Sequence, residues 1–145
     1  MSVITFRIRT SRGARHYFEV RVFPTAPALR RACRAEFRWA KKGLVACVIE
    51  VRDRRTPGLV GVVCLARTCL GIGIVTHEMA HAAYRLMERR RRQVRHWEHA
   101  PATGVPTVRS EEEAYATAIE GLTRDCWNGL YRAKVIVGEG AVVAS

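Results

Sequence analysis

The six residues Thr76-His77-Glu78-Met79-Ala80-His81 constrain this chain more than any others, because they set an H-E-x-x-H motif inside a run of helix-forming residues. Four residues along an α-helix make a little more than one turn. His77 and His81 therefore project from one face, one above the other, as two imidazoles must to share a metal ion. Glu78 falls beside them, placed to take a proton from a water activated by that ion. Val75, Met79, Ala82 and Leu86 occupy the opposite face of the same helix, so one side can enter a core while the other borders a cleft.

A chain of 145 residues, 48% of them apolar, is read as a single domain spanning 1–145 and able to bury its own core. Ile4, Phe6 and Ile8 alternate with polar residues, Ser11-Arg12-Gly13-Ala14 offers a turn, and Phe18, Val20 and Val22 resume the alternation. This predicts a β-hairpin with one wet face. Residues 28–40 follow as a helix with Leu29, Cys33 and Phe37 near one face, which closes the N-terminal segment 1–43. Two β-prone runs, 44–51 and 59–66, flank the breaker Thr56-Pro57-Gly58 and are expected to pair as neighbours within a sheet segment 44–68. The motif helix is expected over 74–92, an irregular loop over 93–109, a last helix over 110–131, and a tail over 132–145 with a short strand near Val135 to Val137. The expected class is α+β: a small antiparallel or mixed sheet packed on helices.

Five cysteines, Cys33, Cys47, Cys64, Cys69 and Cys126, form an odd set with no C-x-x-C pair. That spacing argues against a disulfide framework and against a cysteine-built zinc knuckle, and it favours reduced, mostly buried thiols. There is no basic head followed by an apolar core at the N-terminus, and no apolar stretch of membrane-spanning length, so the reading is a cytoplasmic protein without a membrane partner. The net charge of +12, carried mostly by arginine, draws polyanions at low salt. Its densest run contains Arg89, Arg90, Arg91, Arg92 and Arg95 at the end of the motif helix. Cations there complement the helix dipole first and are candidate contacts for nucleic acid or an acidic partner second.

Two histidines do not complete a catalytic zinc site, which usually takes three protein ligands. The acidic start of the last helix, Glu111-Glu112-Glu113, is the nearest source of a third, and Ala116 one turn beyond Glu113 would let two helices approach closely. Glu113 also completes a capping box with Ser110, and Glu112 lies nearer the apolar stripe of Tyr115, Ile119, Leu122 and Cys126. His96 and His99 of the loop are further alternatives. Tyr84, Tyr115 and the loop histidines are candidate donors to an oxyanion.

His77-Glu78-Met79-Ala80-His81 followed by Glu113-x-x-Ala116 resembles the zincin superfamily of metallopeptidases in its gluzincin-type arrangement, and is similar to small zincin-like proteins of bacteriophages and mobile elements. The resemblance covers the two C-terminal helices. It implies a minimal zincin-like fold, Zn2+ held by His77, His81 and Glu113, Glu78 as general base, and a peptide or protein substrate. It also implies that a strand preceding the motif helix pairs with extended peptide, a role that would fall to residues 59–66. The chain lacks the third histidine of the extended motif, a methionine turn and a second domain. The competing expectation is a binding protein on the same scaffold, phage-encoded in origin, whose basic surface engages nucleic acid or an acidic host protein without proteolysis.

Overall fold

The computed structural model describes residues 2–95 and 108–136 of the chain. Four strands and three α-helices follow one another as β1 (Ile4–Ile8), β2 (Tyr17–Phe23), α1 (Ala26–Phe37), β3 (Ala46–Glu50), β4 (Leu59–Ala66), α2 (Ile72–Arg95) and α3 (Val108–Arg132). A short 3-10 turn, Arg67–Cys69, joins β4 to α2. The class is α+β with a mixed sheet, as the alternation and the apolar runs predict.

Strand order in the sheet is β1-β2-β4-β3. β1 and β2 form the expected antiparallel hairpin, and β3 and β4 pair antiparallel across the breaker. β2 and β4 are parallel, so the chain leaves β2, crosses through α1 and β3, and inserts β4 in the middle of the sheet. A central strand buried on both faces needs apolar residues at every position, and Val60 through Ala66 are all buried.

The two faces are covered differently. Phe18, Val20, Val22, Val63 and Leu65 pack against Val75, Met79, Ala83 and Leu86 of α2 and Leu122, Cys126 and Leu130 of α3. On the other face Phe23, Cys47, Val62, Cys64 and Ala66 pack against Leu29 and Cys33 of α1. The hairpin's second face is accordingly only partly wet: Arg21 of β2 pairs with Glu19 and with Glu36 of α1. α1 starts where Thr25 caps the Ala28 N–H and stops at Arg38, whose left-handed φ of 55° ends the helix before Ala40.

α3 lies directly on the hairpin at Gly121 and Gly129. A Cβ at Gly121 would overlap the Thr10 carbonyl oxygen, and one at Gly129 would overlap the Phe6 ring. Both long helices exceed their expected bounds. The backbone of Ser110 lies within α3, and its side chain is outside the described residues. Val135 and Ile136 form no strand; Val135 is buried and its N–H returns to the Leu130 carbonyl. His96, Trp97 and His99 lie outside the described residues. Among the described residues no helix is long and apolar enough to cross a membrane.

Candidate functional site

The apolar stripe of α2 decides where its motif points. Val75, Met79, Ala82, Ala83 and Leu86 are buried against the sheet and α3, and this leaves His77, His81 and Tyr84 on the exposed face. The His77 and His81 Nε2 atoms are 3.1 Å apart, with ring centroids 4.7 Å apart and planes inclined at 76°. Two imidazole nitrogens sharing a tetrahedral zinc at its usual bond length sit about 3.3 Å apart. The 3.1 Å separation, at which the two rings hydrogen-bond to each other, is thus close to that of two imidazoles sharing one ion.

Glu78 is one residue round the helix and only 6% exposed. Among the described residues no donor hydrogen-bonds its carboxyl. Burial raises its pKa above the ordinary glutamate range, against a smaller opposing effect of the neighbouring His77. Its side chain and His77 line a groove of about 490 Å³ whose other wall is Leu44, Val45 and Ala46, the entry into β3. A largely buried acidic side chain that opens into a groove beside two neighbouring imidazoles is an arrangement suited to proton transfer.

The wall of that groove corrects one expectation. Residues 59–66 form β4, which is hydrogen-bonded on both sides and has no free edge for a peptide. β3 is the edge strand next to the motif. Val45 accepts from the Ala66 N–H and Val51 donates to the Val60 carbonyl, so the alternation of an antiparallel ladder turns the backbone groups of Ala46 and Val48 outward.

α3 supplies less than expected. Glu113 is exposed, about half a helical turn away from the buried stripe of Leu122 and Cys126. Like Glu112, which is also exposed, it is not gathered with both histidines within 4.8 Å. Glu111 pairs with Arg91 at 3.3 Å. Glu112 borders a smaller groove with Tyr84, Met87 and Tyr115, a turn beyond His81. Tyr115 donates its hydroxyl to the Ala80 carbonyl at 3.2 Å, tying α3 to the motif helix. Among the described residues, the one group of three or more His, Cys, Asp or Glu whose ligand atoms all lie within 4.8 Å of one another is Cys33, Cys47 and Cys64. All three are buried free thiols, and this cluster can hold a metal ion. Sequence spacing pointed away from a cysteine-built site because the three come from α1, β3 and β4. The available signal was their position: each falls on the apolar face of its element.

The arginine run is partly consumed by structure. Arg89 donates to the Leu59 carbonyl at 2.9 Å and the Val51 carbonyl at 2.6 Å, and Arg92 pairs with Glu50. Arg90 remains exposed, and the side chain of Arg95 lies outside the described residues. A larger basic surface surrounds the β1–β2 turn, where Arg7, Arg9, Arg12, Arg15, Arg124 and Arg132 line a groove of about 880 Å³ that contains one acid, Asp125. No family model matches the sequence, and no curated protein or solved structure matches it either.

Proposed function

We propose that this chain is a zincin-like zinc metallopeptidase acting on an extended peptide segment. The observation that carries the reading is the 3.1 Å approach of the His77 and His81 Nε2 atoms beside the buried Glu78. His77 and His81 hold the ion, and a carboxylate of α3 completes the third position: Glu113, as the resemblance implies, or Glu112, which borders the adjoining groove. When bound, zinc acidifies water and polarises a carbonyl oxygen. Glu78 takes a proton from the attacking water and passes it to the amide nitrogen as the C–N bond breaks. The outward N–H and C=O groups of Ala46 and Val48 pair with the peptide as an added strand, which holds the scissile carbonyl over the motif. Tyr84, exposed on the motif face of α2, is the donor to the developing oxyanion.

Glu78→Gln should retain zinc and fold while losing peptide cleavage by about 10²–10⁴-fold. His77→Ala should lose the zinc itself. Cleavage by Glu78→Gln at the wild-type rate, or equal zinc in His77→Ala and wild type, overturns the reading. Glu112→Gln against Glu113→Gln, compared by zinc content, decides the third ligand.

A second reading rests on the six-arginine groove at the β1–β2 turn. There the scaffold binds a polyanion, nucleic acid or an acidic protein, and cleaves nothing. Affinity for a short duplex should then fall steeply with salt, weaken in Arg12→Glu with Arg124→Glu, and be indifferent to Glu78→Gln.

A further inference from the structure

The face of the sheet away from the histidines carries a second, chemically different donor set. Cys33 of α1, Cys47 of β3 and Cys64 of β4 bring three sulfurs together within 4.8 Å, and Cys33 and Cys47 are 3.9 Å apart. These residues are separated by long stretches of sequence, so only the packing of α1 on the sheet makes them neighbours. Their surroundings are apolar: Phe23, Leu29, Val62 and Ala66 are each at most 5% exposed. No imidazole or carboxylate belongs to the set.

We propose that Cys33, Cys47 and Cys64 form a three-coordinate site for a soft, thiophilic cation, represented by Cu(I). Three sulfurs around one ion in a plane, at the usual metal–thiolate bond length, are about 4 Å apart, which the Cys33–Cys47 separation already matches. Thiolates select soft ions, whereas calcium and magnesium require oxygen ligands that the cluster lacks. The number of sulfurs selects the ion: three thiolate donors suit Cu(I), whereas a structural zinc is almost always four-coordinate. Each sulfur binds as the thiolate, and its proton passes to water as the sulfur–metal bond forms. Cys47, at 7% exposure the least buried of the three, is the point of entry.

This proposal does not rest on the histidine reading, and the test keeps the two apart. The reduced full chain carrying His77→Ala and His81→Ala is titrated anaerobically with Cu(I) against a competing chelator. The readouts are thiolate-to-metal charge-transfer absorption and the number of thiols protected from alkylation. The expected result is one equivalent of Cu(I) with three thiols protected, unchanged in Cys69→Ser and lost in Cys64→Ser. Alkylation of the parent followed by peptide mapping identifies the protected residues even if Cys64→Ser fails to fold. Absence of charge-transfer absorption, protection of a different set of thiols, or displacement of Cu(I) by equimolar zinc overturns the proposal.

Discussion

Glu78 shares α2 with several arginines that reach water or a carbonyl, whereas its own side chain is largely buried and meets solvent only at the groove it lines. A largely buried acid with a raised pKa that lines a groove is the kind of group found at proton-transfer sites. The neighbouring histidines were legible from sequence because their relation is local: helical periodicity alone places positions four apart on one face. The choice among Glu111, Glu112 and Glu113 was not, since it depends on how α3 is rotated against α2. Thr123 is a simpler residue-level case. Its hydroxyl is buried without a partner, so Thr123→Val should stabilise the chain by about 1 kcal/mol in a denaturant titration. An equal loss instead would mean that the hydroxyl is satisfied.

Elements meet here through close backbone approach and through ion pairs at strand ends. Alanine normally improves a helix over glycine by about 1 kcal/mol. Gly121→Ala should nevertheless destabilise by about 1–3 kcal/mol, because its Cβ overlaps a backbone carbonyl of Thr10 that cannot rotate away. Gly73→Ala, at an open position early in α2, should follow propensity and stabilise; a shared sign in thermal unfolding would contradict this packing. Glu50 at the end of β3 pairs with Arg92, Arg52 and Arg85, fastening the C-terminal half of α2 to the sheet edge. Burial pushes its carboxyl up, but the hydrogen bonds from Arg92 and Arg52 outweigh this, so the folded pKa lies below the unfolded one. Its stabilisation is therefore in force above the ordinary carboxylate range and is lost as pH falls through the folded value. Glu50→Gln should cost on the order of 2 kcal/mol at neutral pH and flatten the acid limb of a stability–pH curve. A parallel downward shift of the whole curve would assign the effect to packing.

Across the whole molecule, β3 is the wall common to both donor sets, because successive residues of a strand face opposite ways. Ala46 borders the histidine groove while Cys47 enters the thiol cluster behind it. The free edge of the same strand is where the peptide substrate proposed above would pair. Val48→Pro deletes one outward N–H at a position where an edge strand tolerates proline. It should raise KM for a peptide about tenfold with zinc content and thermal midpoint near wild type. This is the loss expected when about 1.4 kcal/mol of strand pairing is removed. An unchanged KM would move the substrate away from β3.

By itself the sequence determined the order of the four strands and three helices and the histidine pair, since both follow from periodicities that act over a few residues. It reached β4 without error because an uninterrupted apolar run can only be buried on both sides. Tertiary structure decided what lies next to what: the insertion of β4 between β2 and β3, the passing of the edge to β3, and the meeting of three cysteines. Those outcomes depend on parallel pairing and on helix rotation, which balance surface buried across the whole core and are written in no single segment.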